Sequence, residues 1–167
     1  MAEDTKRRLI VLRHAKSDWP EDVPDHDRPL AKRGRKDAPE IGRWLRANGY
    51  RPDTVICSTA RRTRQTWELV AGQLGESPDV TFEPRAYGAS AMTLLYLVRE
   101  LPDGCQAALL IGHNPGISDL ATSLAGTSRG KLSFPTAGVA VLDFDGDWAD
   151  LAPEGARLAA FVIPADL

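Results

Sequence analysis

Short apolar runs alternate with amphipathic stretches along this sequence. The runs have the length and the turn-forming flanks of β-strands, and they cover residues 9–12, 54–57, 81–82, 107–112, 138–144 and 157–163. The last two runs are predicted to be a closing pair of strands. Strands that alternate with helices indicate an α/β fold, a three-layer sandwich in which a mostly parallel central sheet has helices on both faces.

The first amphipathic stretch predicts a helix with an uncertain start. It ends near Asn48-Gly49, where the sequence carries a C-cap signal. Pro39 lies inside the pattern, which leaves two alternatives. Either Asp37 caps the helix, with Glu40 completing a capping box, or an earlier helix kinks at Pro39.

Three further stretches carry apolar residues at the i, i+3, i+4, i+7 spacing of a helix. These residues are Trp67, Val70, Ala71 and Leu74, then Leu94, Leu97, Val98 and Leu101, then Ile117, Leu120, Ala121 and Leu124. Ser90 is the predicted N-cap of the third helix, and Asn114 and Pro115 are the predicted N-cap and N1 residues of the fourth. Residues 19–29, rich in Pro and Asp, are predicted to form a loop.

The length of 167 residues predicts a single domain, 1–167, with residues 1–8 as a flexible N-terminus. Apolar residues make up 43% and charged residues 26%, which is typical of a soluble globular protein. No apolar run approaches the ~20 residues of a membrane helix, and none has the form of a secretory signal. Two widely separated cysteines favour neither a disulfide nor a zinc site. We therefore expect a cytoplasmic protein with no membrane contact and no metal.

The net charge of −2 conceals an uneven distribution of basic residues. There are 16 Arg and 5 Lys, and residues 1–64 hold 16 basic and 10 acidic side chains. Arginine suits bidentate recognition of phosphate or carboxylate, although a GC-rich genome would produce the same excess. An acidic C-terminal portion without interleaved basic and aromatic residues argues against nucleic acid as a partner. Composition thus allows an enzyme with an anionic ligand.

Basic residues and histidines follow three of the predicted strands. Arg13 and His14 end the first strand, Arg62 lies in the first helical turn after the second, and His113 follows the strand 107–112. Each signal alone also fits a surface, solvated or capping residue. In a parallel sheet, however, the carboxyl ends of the strands lie together and form the ligand site. These residues are therefore expected to surround one anion.

Three ordered motifs carry a resemblance to a known family. They are Leu12-Arg13-His14, Ser58-x-x-x-Arg62-x-x-Gln65-Thr66 and Gly112-His113-Asn114-Pro115-Gly116. Together they resemble the histidine phosphatase superfamily, also called phosphoglycerate-mutase-like, from about residue 9 to beyond residue 140. The short length and residues 25–30 look most like its small phosphohistidine phosphatases of the SixA type. Ala15 departs from the pattern, since many members carry Gly there.

The resemblance implies a role for each matching residue. His14 would be the nucleophile and become transiently phosphorylated. Arg13 and Arg62 would clamp the phosphoryl oxygens and stabilise the transition state, and protonated His113 would bind another oxygen. Arg28 and Asp25 match positions near the pocket in the SixA-type members. No cofactor or metal is implied, and the substrate would be a phosphohistidine protein or a small phosphate ester.

A carboxylic acid that protonates the leaving group is harder to place. Larger members supply one after the third strand, where this chain has Pro84 at the expected position and Glu83 one residue before it. We expect Glu83 to be a surface residue, since one residue in an extended segment changes which way a side chain points. The absence of this acid favours phosphohistidine over phosphate esters as the substrate, because the P–N bond is labile and its imidazole departs without a strong acid.

Other interpretations are a phosphatase of small phosphate esters, a non-catalytic phosphate-binding module and a cysteine phosphatase. A cysteine phosphatase requires an Arg six positions after its nucleophilic cysteine. Six positions after Cys57 the chain has Thr63, so this interpretation fails. Cys57 is instead predicted to be a small buried hydrophobic residue.

Overall fold

The computed structural model describes residues 6–75 and 77–167. Within these residues, six strands and four α-helices follow one another. The strands are β1 (Lys6–Arg13), β2 (Thr54–Ser58), β3 (Asp79–Glu83), β4 (Ala107–Gly112), β5 (Val139–Asp145) and β6 (Arg157–Val162). The helices are α1 (Lys32–Ala47), α2 (Arg61–Leu74), α3 (Ala91–Arg99) and α4 (Gly116–Ala125). None of these helices is long and apolar enough to cross a membrane.

The strands form one mixed sheet in the order β3-β2-β4-β1-β5-β6. The first four in this order run parallel, whereas β5 is antiparallel to both β1 and β6. Arg13 at the end of β1 lies opposite Gly112 at the end of β4. The predicted α/β fold with a mostly parallel sheet is confirmed, and the parallel strands end at a common edge.

Apolar side chains pack on both faces of the sheet. The cluster on one face joins the strands to α1 and α2, and includes Ile10, Leu12, Ile41, Leu45, Val70 and Leu74. The cluster on the other face joins them to α3 and α4, and includes Leu9, Val11, Leu94, Val98, Ile117 and Leu120. Adjacent residues of β1 thus face opposite layers, as the alternation of side chains along a strand requires.

The start of the chain differs from the expectation of a flexible segment 1–8. Strand β1 already begins at Lys6, which pairs with Asp145 of β5, and Arg8 pairs with Ala107 of β4. The expectation is wrong for residues 6–8, because neighbours on both sides supply backbone hydrogen bonds. Its residues 1–5 lie outside the described residues.

Helix α1 begins earlier than a cap at Asp37 would allow. One helix runs through Pro39, and Asp37 forms an i,i+4 ion pair with Arg33 inside it, at 3.4 Å. The first turn is fixed by packing on the segment after β1. The Ala31 amide donates to the Lys16 carbonyl at 2.8 Å, and a Cβ on Gly34 would lie only 2.1 Å from that oxygen.

The observed N-caps of α3 and α4 can be compared with the predicted ones. Ser90 is the N-cap of α3 and accepts a hydrogen bond from the Thr93 amide, as predicted. Helix α4 begins at Gly116, with Pro115 at the N-cap position, so the prediction that Asn114 is the N-cap is wrong by one residue. Asn114 still serves the first turn, because its Oδ1 accepts from the Ser118 amide and hydroxyl.

Candidate active site

The carboxyl ends of β1, β2 and β4 bring the two predicted histidines together. His14 follows β1, His113 follows β4, and their ring centroids are 5.2 Å apart. The His14 amide donates to the Gly112 carbonyl at 3.1 Å, which fixes the two strand ends against each other. Convergence of these strand ends into one site is therefore observed.

His14 is held as a neutral imidazole with one nitrogen available. The side chain is 7% exposed, and its Nδ1 lies 2.7 Å from the Ala15 carbonyl oxygen. A carbonyl only accepts, so Nδ1 carries the proton and the lone pair is on Nε2. Burial, aided by His113, Arg62 and Arg13, lowers the pKa of His14 to about 3. The ring is thus an uncharged base at neutral pH.

The backbone around His14 is tied to helix α2. The Ala15 amide donates to Thr66 Oγ1 at 3.0 Å, and that hydroxyl donates to the Arg62 carbonyl at 2.7 Å. Thr66 is fully buried. Thr66 belongs to the motif Ser58-x-x-x-Arg62-x-x-Gln65-Thr66, and it joins the segment that carries His14 to the helix that carries Arg62.

Arg62 lies in the first turn of α2 and points back to the loop before α1. Its Nη1 donates to the Asp25 carbonyl at 2.7 Å, and its Nη2 donates to Asp25 Oδ2 at 3.1 Å. The Nε atom is buried and has no hydrogen-bond partner in the described chain. One edge of the guanidinium is therefore fixed by Asp25, and a buried N–H remains for another acceptor.

Arg13 occupies the last position of β1. Its Nη1 donates to the Phe134 carbonyl at 3.0 Å, while its buried Nε lacks a partner among residues 6–75 and 77–167. Burial lowers the pKa of this guanidinium, which still stays charged because arginine is not deprotonated in proteins. Arg13 thus has one amino group fixed and Arg62 has both fixed, while the buried Nε–H of each is without a partner in the described chain.

His113 contacts His14 on one side and Ser58 on the other. Its Nε2 lies 2.8 Å from Ser58 Oγ, and its buried Nδ1 has no partner within the described residues. Burial, followed by the charge of Arg62, lowers the pKa of His113 to about 4. A desolvated ring beside arginines disfavours a further positive charge, whereas a phosphoryl anion beside it would favour one, so a protonated His113 that binds phosphate stays a prediction.

Arg28 lies next to the cluster and supports it. Its Nε donates to Asp25 Oδ1 at 3.1 Å, and its Nη1 donates to Ser17 Oγ and to the Asp18 carbonyl, both at 3.0 Å. Asp25 consequently bridges Arg28 and Arg62. Arg28 is buried beside the site as expected, and its direct contact with phosphate stays a prediction.

Tyr87 is the residue that sequence reasoning missed. Its hydroxyl donates to Asp25 Oδ2, and its ring packs edge-on against His113 and against His26, at centroid distances of 5.6 and 4.9 Å. The hydrogen bond from Tyr87, together with Arg62 and Arg28, holds the pKa of Asp25 well below its usual range. Asp25 is therefore a carboxylate. The one signal in the sequence near Tyr87 was that residues 83–88 follow the third strand, where larger family members carry their acid.

Glu83, one residue before the position expected for the acid, is paired with Arg85. Its carboxylate accepts from the Arg85 amide at 2.9 Å and from Arg85 Nη2 at 2.8 Å. These bonds lower the pKa of Glu83, so the group is ionised. The Glu83 side chain is 13% exposed, so it is less exposed than the predicted surface residue, and its exclusion from the chemistry stays a prediction.

The described residues provide neither a metal cluster nor a reactive thiol. No group of three or more His, Cys, Asp or Glu that could hold a metal ion occurs in them. Cys57 and Cys105 are unbridged and buried. Burial raises the pKa of Cys57 to about 12, which keeps it a neutral thiol and agrees with its predicted role as a buried hydrophobic residue.

Comparison with known proteins identifies the family. A family model described as "Histidine phosphatase superfamily (branch 1)" matches residues 9–86. An uncharacterized protein of Mycobacterium tuberculosis is 41% identical over 161 residues, which cover 92% of this chain and 99% of that protein.

Two solved structures extend the likeness over the whole chain. The putative phosphohistidine phosphatase SixA of Nakamurella multipartitia is 34% identical, with a TM-score of 0.85 over 95% of this chain and 96% of that one. The putative phosphohistidine phosphatase SixA of Agrobacterium tumefaciens is 31% identical, with a TM-score of 0.80 over 95% and 98%. The chain therefore belongs to the histidine phosphatase superfamily, and SixA-type proteins are among its whole-length structural relatives.

Proposed function

We propose that this protein is a phosphatase that works through a phosphohistidine intermediate on His14 and removes phosphate from phosphohistidine side chains of proteins. One observation carries the proposal. The His14 ring has its proton fixed on Nδ1 by the Ala15 carbonyl, so the lone pair is on Nε2 in a buried site that also contains Arg13, Arg62 and His113. Membership of the family and the SixA-type relatives support it.

In the first step, Nε2 of His14 attacks phosphorus and forms an N–P bond. The bond from phosphorus to the leaving nitrogen breaks and its electron pair goes to that nitrogen, so the substrate imidazole leaves neutral when its other ring nitrogen carries a proton. Charge that develops on the phosphoryl oxygens is stabilised by preorganised donors, for which the unpaired N–H groups of Arg13 and Arg62 are suited. Since His14 is already neutral, no proton has to be removed before the attack.

In the second step, water attacks phosphorus and the bond to Nε2 breaks. Inorganic phosphate leaves, the displaced electron pair returns to Nε2, and His14 regains its starting form. The Nδ1–H···O=C bond to Ala15 persists throughout, because neither step uses that proton. Splitting one displacement into two in this way is the general advantage of a covalent intermediate.

The nature of the leaving group decides which substrate suits the site. Asp25 stays ionised beside two arginines and Tyr87, and the Tyr87 hydroxyl is committed to Asp25. Glu83 pairs with Arg85. Of these described acidic groups, none is poised to protonate an alkoxide. A phosphoramidate needs less help than an ester, because its imidazole departs from a labile P–N bond.

A substrate panel tests the proposal. Steady-state rates are measured on free phosphohistidine, a phosphohistidine peptide and p-nitrophenyl phosphate, with wild type and with His14→Ala as the matched control. We expect kcat/KM for both phosphohistidine substrates to exceed that for the ester by a factor of ten or more, and to vanish in the control. A preference for the ester would replace the proposed substrate class. Tight phosphate binding without any turnover would indicate a binding module instead.

A further inference from the structure

The segment between β1 and α1, residues 16–28, is here called the rim segment. It carries Trp19, whose side chain is 76% exposed, more than any other large exposed hydrophobic residue of the described chain. Exposed tryptophans are costly in water and are enriched among the residues that dominate binding energy at interfaces. Trp19 therefore needs an explanation that the proposed chemistry does not supply.

The Trp19 ring is held in place by a contact with Arg28, a residue next to the active site. The Arg28 guanidinium carbon lies 3.5 Å from the centroid of its ring, and Arg28 is buried and bonded to Asp25, which also fixes Arg62. One face of the indole thus lies on the arginine network that supports the phosphate clamp, while most of the ring is open to solvent.

The rim segment is also anchored at both ends. Ser17 and Leu30 form an antiparallel bridge, and the Asp18 amide donates to the Pro29 carbonyl at 2.9 Å. His26 reaches Thr59 Oγ1 at 2.9 Å, which ties the segment to the loop before α2. A surface held in this way loses little conformational entropy when a partner binds.

The outer surface of the rim segment is acidic. Its exposed acids beyond Asp25 are Asp18, Glu21, Asp22 and Asp27, against one exposed base, Lys16. The first turn of α2 has the opposite sign, since Arg61 and Arg64 are exposed there, so the negative charge belongs to the rim segment. An acidic surface beside a phosphate site repels additional anionic groups of a small substrate and attracts basic side chains.

We propose that the rim segment is a docking surface for the phosphohistidine-bearing protein, and that this partner presents lysine or arginine next to its phosphohistidine. This inference rests on the proposed function. Trp19 packs against the aliphatic part of the partner's basic side chains, and Asp18 and Glu21 attract their charges. The phosphoryl group meanwhile enters the cationic site behind the rim.

The test uses two phosphohistidine peptides that differ only in whether lysine or glutamate flanks the histidine, together with free phosphohistidine. We expect wild type to favour the lysine-flanked peptide about tenfold in kcat/KM, mainly through KM. Trp19→Ala and the double variant Asp18→Lys/Glu21→Lys should each reduce this preference severalfold. Both should leave turnover of free phosphohistidine within about twofold.

Matched controls lie elsewhere on the surface. Tyr96 is also an exposed aromatic beside an arginine, Arg99, at 5.7 Å, so Tyr96→Ala should change neither rate. Asp103→Lys/Asp150→Lys reverses two exposed acids of the same sign and should have no effect on the preference.

The outcomes separate the two proposals. Turnover of free phosphohistidine with no preference between the peptides, or with a preference that the rim variants leave intact, overturns the docking surface alone. Hydrolysis of p-nitrophenyl phosphate but of none of the phosphohistidine substrates overturns the proposed function and the docking surface with it. The double variant guards against an indirect effect of Trp19→Ala on Arg28, since it leaves that contact in place.

Discussion

Both ends of strand β1 carry clustered arginines, and the two clusters are built in the same way. At the carboxyl end, Asp25 is shared by Arg28 and Arg62. At the amino end, in a groove of about 540 Å³, Asp143 is shared by Arg8 and Arg157. The two clusters differ in their exposure to solvent.

The side chains of Arg28 and Arg62 are each 7% exposed, whereas those of Arg8 and Arg157 are 35% and 77% exposed. Buried cations keep their electric field because water screens them poorly. Burial, aided by Arg62 and Arg13, lowers the pKa of the two neighbouring imidazoles, whereas the hydrogen bond to Asp143 raises the pKa of Arg8. Burial beside histidine, and not the number of arginines, therefore distinguishes the candidate active site from a paired surface cluster.

Removing the proposed nucleophile should have the largest effect. We expect His14→Ala to reduce turnover to the uncatalysed background, because no other buried group in the site offers an unprotonated ring nitrogen in the same place. The matched control is Arg8→Ala at the other end of the strand, which should keep activity within about twofold. Retained turnover in His14→Ala, measured on free phosphohistidine, would contradict the assignment.

Removing a single clamp residue should cost less. We expect Arg13→Ala, Arg62→Ala and His113→Ala each to lower kcat by about 10²–10³, or about 2.7–4 kcal/mol of transition-state stabilisation. Single-turnover rates are the appropriate measurement, since they separate chemistry from product release. If Arg8→Ala lost as much activity as Arg62→Ala, the distinction between the two clusters would fail.

The buried histidines should make stability depend on pH. The pKa values of His14 and His113 in the folded chain, about 3 and about 4, lie below the usual value of 6.5. The unfolded chain therefore takes up these protons first, and the free energy of unfolding falls as the pH drops from about 6.5 toward 4. Each histidine contributes at most about 1.4 kcal/mol per pH unit.

Urea titrations across this pH range measure the effect. We expect His14→Asn/His113→Asn to lose most of the slope, while Arg8→Ala keeps it. Asp25 acts with the same sign in a lower pH window, because its pKa is lowered and the stability that this carboxylate contributes is lost as the pH falls through and below the usual carboxyl range. A slope unchanged by the double substitution would show that these two rings are not the buried neutral groups.

The smallest effect in the site is expected for Tyr87→Phe. The change removes one hydrogen bond to Asp25 but leaves the packing of the ring on His113 and His26. A net hydrogen bond is worth about 0.5–1.5 kcal/mol, so kcat should fall about two- to tenfold. A loss as large as that of Arg62→Ala would instead make Tyr87 a residue that touches the reacting atoms.

Periodicity and strand ends were enough to predict where His14, Arg62 and His113 meet. The alternation of strands and helices defines a parallel sheet, and such a sheet brings its carboxyl ends together whatever the loops do. Arg28 lies in a loop and was predicted only from the resemblance to the family. Periodicity and strand ends could not find the bond from Tyr87 to Asp25, because the two lie 62 residues apart on separate loops and neither position has a periodic pattern.

The charge of His113 and the first residue of α1 could not be predicted from the sequence for a related reason. A protonated His113 was expected from its proposed role, but its charge depends on how deeply the ring is buried beside Arg62. The start of α1 depends on the contact of Ala31 and Gly34 with Lys16, a residue from another segment. Both are products of tertiary packing, which local preferences do not encode.

Trapping the phosphorylated enzyme tests the central claim most directly. The protein is mixed briefly with ³²P-phosphoramidate, quenched in alkali and digested, and the labelled peptide is identified by mass spectrometry. We predict an acid-labile, alkali-stable label on His14 that forms and decays at the rate of turnover and is lost in His14→Ala. A label on another residue, or steady turnover without any label on His14, would contradict the account.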